Sequence, residues 1–398
     1  VTHAGDAVAR LVRDEGTRVL ATLVRVTGSV DLAEDAVQDA VVRALETWPR
    51  DGVPDNPRGW LLVAARRRAV DVVRREAKRL GKEADAMPAF DPFPDPVSVR
   101  DDLLRLVFTC CHPALSLDAQ VALALRTLGG LSTLEVARAL LVPEATMAKR
   151  LTRAKQKIAT AHIPYRVPSS EELPSRLAGV ASTVYLIFNE GYTGRESLLV
   201  EGVRLARLLA SLMPDEPTAL GLLALVLLQD ARRAARFSSG EPVLLADQDR
   251  SAWDFALIKE GVELVGTGLR RTPSTPNAYV VQAAIAACHD LSPSYSETNW
   301  DAVISWYDVL LSIQDTPVVR LNRAAAVAER DGPAAGLALV DALPGLDDYP
   351  WWHASRAELL HRLGSPAAFE ALERAVETGL PGPHATRLRA RVNSPSSR

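Results

Sequence analysis

Residues 132–158 read STLEVARALLVPEATMAKRLTRAKQKI, two short helical patterns separated by a proline. Ser132 or Thr133 can cap a first helix whose apolar positions are Leu134, Val136, Ala137, Leu140 and Leu141. Pro143 forbids its continuation and suits the opening of a second helix. In that second helix Met147, Leu151, Ala154 and Ile158 recur at helical spacing and are expected to pack inward. Thr146, Lys149, Thr152, Arg153 and Gln156 then fall largely on the other face. The pattern is that of a helix-turn-helix, and the DNA-contacting candidates are Thr146, Lys149, Arg150, Thr152 and Arg153. Arginine and lysine pair with guanine edges and phosphates, and threonine can contact a base or a thymine methyl. A solvated basic surface helix would carry the same charges. The coincidence of turn, proline and two apolar faces favours DNA.

Bulk properties bound the rest. With 398 residues the chain is expected to hold two or three domains. Its net charge of -3 means that any nucleic-acid surface is a local patch. Three cysteines, two of them adjacent, make a disulfide framework unexpected and fit a reducing compartment. The stretch VTHAGDAVARLVRDEG is charged throughout, and the most apolar run, Leu220–Leu228, is too short to span a bilayer. The expectation is a cytoplasmic protein with no membrane contact.

Nearly every periodic segment reads helical and strand-like alternation is absent, so the fold is expected to be all-α. Residues 1–80 form one helical unit, and 81–100, GKEADAMPAFDPFPDPVSVR, read as a flexible linker because prolines and acids lack a period. Residues 101–162 form a second unit ending in the helix-turn-helix. After IPYRVPSSEELPSR (163–176), a helical remainder runs over 176–398. There LNRAAAVAERDGPAAGLALVDAL (321–343) and ASRAELLHRLGSPAAFEALERAV (354–376) share a small-residue helix, a Gly-Pro or Gly-Ser-Pro break and a second helix. Their spacing is close to the tetratricopeptide period of about 34 residues, although the consensus aromatics are mostly missing.

The first unit holds two further patterns. In DLAEDAVQDAVVRALETW (31–48) Asp31 and Glu34 suggest a capping box, and Leu32, Ala36, Val37, Ala40, Val41, Ala44, Leu45 and Trp48 form a buried stripe. Glu34, Asp35, Gln38 and Asp39 remain near the exposed N-terminal half. The helix dipole alone favours acids there, and a docking face for a basic protein partner is the functional alternative. From Arg58 to Arg79 eight cations stand against only Asp71 and Glu76, with Leu61, Ala65, Ala69, Val72 and Val73 inward. A solvated face is the plain explanation; its density beside a second DNA-binding unit points to phosphate contact.

Taken in order, the motif D-x-x-E-D-x-x-Q-D (31–39), Pro57 with Trp60-Leu61 and an arginine-rich helix, a proline-rich linker, and P-x-x-T-x-x-x-R-L-x-R-A-K (143–155) resemble an extracytoplasmic-function (ECF) sigma factor of bacterial RNA polymerase. The segments TCCHPALSLDAQVALALRTLGGLS (109–132), YLIFNEGYTG (185–194) and LALVLLQDARRAAR (223–236) extend the likeness to a subgroup with a long tetratricopeptide-like extension. The resemblance implies a sigma region 2 bundle, a region 4 helix-turn-helix, and core polymerase and promoter DNA as partners. It places Glu34, Asp35, Gln38 and Asp39 on the β′ clamp helices, and the loop at 49–59 on a flipped minus-10 base. It places Arg66, Arg67 and Arg74 on the opened strand, and Ala148, Lys149, Thr152 and Arg153 on the minus-35 element. Ala148 departs from the usual long basic residue, so one family contact is missing.

Other features carry less. Cys110-Cys111-His112 and Cys288-His289 lack metal-ligand spacing and read as buried thiols. Trp60 can pack in the core or stack on a base. For Tyr185–Gly194 a helix end before a glycine turn is the default, with a ligand pocket as alternative. Trp351-Trp352-His353 is expected to fill a groove between late helix pairs. Nucleotide-binding loops and catalytic constellations are absent, so no enzyme activity, cofactor or metal is expected. The competing reading is a helix-turn-helix regulator with a repeat-type sensory domain that works without polymerase.

Overall fold

The computed structural model describes residues 2–79, 96–140, 142–161, 163–192, 196–238, 241–272 and 274–394, and all their side chains except those of 2–4, 13–14, 73–79, 96–99 and 192. The chain divides into two compact units, Val1–Leu212 and Met213–Arg398. The described residues are overwhelmingly helical, and no helix among them is long and apolar enough to cross a membrane.

In the first unit α1 (Thr2–Thr27), α2 (Val30–Asp51) and α3 (Pro57–Arg79) form a three-helix bundle in which α1 packs on both others. Gly28 turns the chain at φ +68°, and Ser29 caps α2 by accepting from the Leu32 amide at 3.3 Å. The expected Asp31–Glu34 capping box therefore does not form, because the helix starts a residue before Asp31. The buried stripe of α2 is narrower than its period suggests. Ala33, Ala36, Ala40, Ala44 and Trp48 are buried, whereas Leu45 is 46% exposed. Small side chains let α2 lie close to its neighbours, which leaves the larger Leu45 at the rim.

Helix α4 (Pro96–Cys110) starts inside the segment read as linker, so residues 96–100 are helical. Residues 80–95 lie outside the described ones. Next come α5 (Leu117–Thr127), α6 (Thr133–Ala139) and α7 (Glu144–Thr160), with α7 packed on both α5 and α6. A complete capping box opens α6. The Glu135 amide donates to Ser132 Oγ, and the Ser132 amide to Glu135 Oε2 at 2.7 Å.

The helical remainder begins at α8 (Leu173–Tyr192), yet the compact unit runs on through α9 (Glu196–Leu212). These helices cross closely. A Cβ at Gly202 would lie 2.6 Å from Phe188 Cα, and one at Gly191 would lie 2.1 Å from the Leu199 amide nitrogen. Glycine is thus required at both positions, which gives this part of the Tyr185–Gly194 segment a packing role. Thr193–Arg195 lie outside the described residues. Helix α8 reaches α5 through Thr183, whose hydroxyl donates to Gln120 Oε1 at 3.1 Å.

The second unit opens with α10 (Pro217–Asp230), nearly all buried beneath α11 (Phe255–Arg271) and α12 (Ala278–Asp290). Between α10 and α11 lies the departure from an all-helical pattern. Strands β1 (Phe237–Ser238) and β2 (Glu241–Pro242) pair antiparallel and are followed by 3₁₀ turns. Then α13 (Trp300–Ile313), α14 (Pro317–Asp331), α15 (Pro333–Asp341), α16 (Pro350–Arg362), α17 (Ala367–Glu377) and α18 (Gly382–Val392) each pack on the next. Alternate helices begin at Pro317, Pro350 and Gly382, close to the spacing of about 34 residues in helix-pair repeats. Trp352 joins the late core and donates to the Val340 carbonyl at 2.9 Å, while Trp351 stays 39% exposed against His384.

Candidate nucleic-acid interface

Helix α7 is held by Met147, Leu151 and Ala154, all buried, and it turns Thr146, Ala148, Lys149, Thr152, Arg153 and Gln156 to solvent. Its first helical residue is Glu144, so Pro143 sits at the N-cap, where its missing N–H costs no helical hydrogen bond. Thr152 donates its hydroxyl to the Ala148 carbonyl at 2.9 Å, leaving its methyl and oxygen lone pairs outward. Arg150 differs from its neighbours. It is half-buried and lies 3.7 Å from Asp118 at the start of α5.

Beside α7 runs a cleft of about 530 Å³ lined by Ser116, Thr146, Lys149, Arg150, Arg153 and Lys157. Four cations around one concave surface, next to the amide-rich start of α5, suit a phosphate backbone. Lys157 has no place in the face read from the sequence. Its signal in the sequence is the i, i+4 stripe Lys149, Arg153, Lys157.

On the bundle side Asp35, Gln38 and Asp39 are exposed on α2, and Asp39 pairs with Arg68 of α3. Arg67 is exposed and Arg66 half-buried, both on α3, whereas the Arg74 side chain lies outside the described ones. Arg58 lies 3.4 Å from Glu15 of α1. Trp60 meets buried Trp48 edge-to-face at 5.4 Å and 71°, which makes it part of the bundle's rim. Helix α2 continues through Pro49 to Asp51, and Gly52 at φ +84° ends it. Asn56 then accepts from the Gly59 amide at 2.8 Å and opens α3. The segment 49–59 is therefore part helix, part short loop.

Glu34 departs from the expected open face: it is only 8% exposed. Its Oε2 lies 2.8 Å from Lys155 Nζ on α7, and the same ammonium is 2.8 Å from Asp31 Oδ1. Arg126 stands 3.8 Å from Glu34, and the Thr127 hydroxyl points at Glu34 Oε1 from 3.5 Å. Burial works to lower the Lys155 ammonium, but Glu34 and Asp31 outweigh it and hold it above its ordinary value. The acidic helix and the recognition helix are thus joined by one ion-pair cluster.

The thiols are structural. Cys110 and Cys111 are fully buried, and burial first, then in Cys110 the neighbouring Cys111, pushes both upward, Cys111 to about 12. They remain neutral and poorly nucleophilic. His112 accepts the Ala114 amide at 3.1 Å, a turn-forming bond.

Comparison with known proteins agrees with this geometry. Residues 11–79 match the Sigma-70 region 2 family, 105–158 match Sigma-70, region 4, and 176–268 match a Family of unknown function (DUF6596). An uncharacterized protein of Rhizobium meliloti (strain 1021) is 40% identical over 394 residues, covering 94% of this chain and 93% of that one. The ECF RNA polymerase sigma factor SigK of Mycobacterium bovis (strain BCG / Pasteur 1173P2) is 30% identical over 165 residues, which are 39% of this chain and 86% of SigK. SigK of Mycobacterium sp. (strain KMS) is 32% identical over 155 residues, 37% of this chain and 78% of that relative. Sigma factor families bind core RNA polymerase and promoter DNA and are initiation factors rather than enzymes. On these matches the chain belongs to the ECF RNA polymerase sigma factors.

Proposed function

We propose that this sigma factor docks on the β′ clamp helices of core polymerase through α2, places α3 on the opened minus-10 element and α7 on the minus-35 element, and starts transcription of a limited gene set. The observation that carries the reading is α7. Its core residues are buried, and Lys149, Thr152 and Arg153 form an open face of groove-reading side chains. Arg150, already beside Asp118, serves the phosphate cleft with Lys157 rather than a base edge. On α2 the polymerase meets Asp35, Gln38 and Asp39. Arg66, Arg67 and Arg74 are the cations offered to the opened strand, and capture of an unpaired base near residues 49–59 traps the melted duplex.

The C-terminal part, in this reading, controls activity in place of a separate regulator. Helix α9 supplies Arg204, whose guanidinium donates to the Leu128 carbonyl just before the helix-turn-helix, and α1 supplies Thr17, which donates to the same oxygen at 3.2 Å. The repeats beyond Met213 are of the kind that presents long surfaces to protein segments.

Holoenzyme assembly tests the docking. Asp35→Lys with Asp39→Lys should weaken binding to purified core polymerase and leave circular-dichroism helicity intact; unchanged binding overturns the assignment. Control by the repeats beyond Met213 is tested by ending the chain at Leu212, which keeps α1–α9 and the Arg204 contact to Leu128 and removes the repeats. Wild-type reporter output from that stable product would refute it.

A further inference from the structure

One carboxylate of the proposed polymerase face is already occupied. Glu34 is buried beside α7, with Lys155 at 2.8 Å and, among the described residues, Thr127 and the more distant Arg126 as other partners. Lys155 follows Arg153 by two residues, so its side chain leaves α7 roughly 200° around from the DNA-facing arginine. One helix therefore presents Arg153 outward and grips α2 inward. A second set of contacts closes the same seam elsewhere. Arg25 of α1 lies 2.9 Å from the buried Asp102 of α4, and Tyr165 Oη is within hydrogen-bond distance of the Ala21 and Asp102 carbonyl oxygens, at 2.8 and 3.0 Å.

We propose that Lys155 is a latch: its ion pairs with Glu34 and Asp31 hold region 2 and region 4 together in a closed form, and docking of polymerase on α2 must break them. The inference rests on the functional reading above for the identity of the opening partner. Without Lys155, Glu34 would be a buried carboxylate whose nearest cation is Arg126 at 3.8 Å, a state that favours exposure to water. Asp35, Gln38 and Asp39 stay exposed in the closed form and offer the polymerase its first hold. Completing the contact to Asp31 and Glu34 then displaces Lys155 and frees α7 to separate from the bundle. Promoter recognition by region 4 is in this way coupled to assembly with polymerase.

The test uses the full chain. Hydrogen exchange across residues 31–40 and 124–128 is compared between wild type, Lys155→Met and Glu34→Gln, with Lys155→Arg as the conservative control. Glu34→Gln keeps the shape and the Thr127 hydrogen bond, so it stands in for Lys155→Met if that variant loses helicity. The latch requires exchange faster by on the order of tenfold in these segments for both neutral variants, and near wild-type exchange for Lys155→Arg. The charge exchange Glu34→Lys with Lys155→Glu should restore much of the protection. Affinity for core polymerase should rise several-fold in Lys155→Met, because opening no longer opposes docking. Unchanged exchange in both neutral variants overturns the latch. Faster exchange with unchanged or weaker polymerase affinity overturns the gate. A wild-type chain that binds no polymerase refutes the functional reading and the gate with it, while the exchange data still decide whether the lock exists.

Discussion

Helix α7 turns Thr146, Lys149, Thr152 and Arg153 to solvent as its period predicts, whereas α2, with an equally regular period, turns Asp35, Gln38 and Asp39 outward and buries Glu34. Both helices have apolar residues at helical spacing and a polar face. The difference comes from what reaches that face. Among the described residues Thr146, Lys149, Thr152 and Arg153 of α7 stay exposed, but the start of α2 is met by a lysine 121 residues further along the chain. A period defines the face of one helix; it does not say which other helix lies against it.

The comparison can be broken most forcefully in the core of α7. Met147 is fully buried, so Met147→Ala should cost about 2–5 kcal/mol through lost packing and a residual cavity. Denaturant unfolding of the first unit measures it, and a loss below about 1 kcal/mol would mean that α7 is not anchored as described. On α2 the contrast is between neighbours. Glu34→Ala should cost about 2–3 kcal/mol, because it leaves Lys155 half-paired beside buried groups, while Asp35→Ala should stay within about 0.5 kcal/mol. Equal effects at the two positions would erase the distinction between a buried and an open carboxylate.

On the outward face of α7 the expected losses are in binding rather than stability. Arg153→Ala should cost about 1–3 kcal/mol of promoter affinity and relax specificity at one or two minus-35 positions. Lys157→Ala should weaken binding evenly across sequences and flatten its salt dependence, as a phosphate contact does. Identical, sequence-independent losses in both would remove Arg153 from direct readout. A small effect is also expected at the exposed pair Asp39–Arg68, where Asp39→Ala should change stability by no more than about 1 kcal/mol, as thermal unfolding would register.

The parts of the molecule legible in the sequence are those governed by near neighbours. The capping box Ser132–Glu135, the proline between α6 and α7 and the buried set Met147, Leu151 and Ala154 follow from spacings of a few residues. Leu134, assigned to the inner face of α6, is 38% exposed, because a seven-residue helix has room for one buried turn only. Helix α2 starts at Val30 with Ser29 as its cap, because Gly28 sets the turn before it. The cluster of Asp31, Glu34, Arg126 and Lys155 joins residues from distant elements and has no local signature. The same is true of α8 and α9, whose close packing on each other depends on Gly191 and Gly202 each meeting the other helix's backbone. The paired strands Phe237–Ser238 and Glu241–Pro242 have two residues each, too short for alternation to show.

Run-off transcription with purified core polymerase tests the central claim most directly. On a template carrying a promoter selected by the chain, core polymerase with the full chain should yield one transcript of defined length, and either component alone should yield none. The transcript should fall sharply with Arg153→Ala and with Asp35→Lys plus Asp39→Lys, through promoter recognition in the first case and assembly in the second. Tight binding of the chain to the duplex without polymerase, together with no transcript when polymerase is added, would contradict the account and identify a polymerase-independent DNA-binding regulator instead.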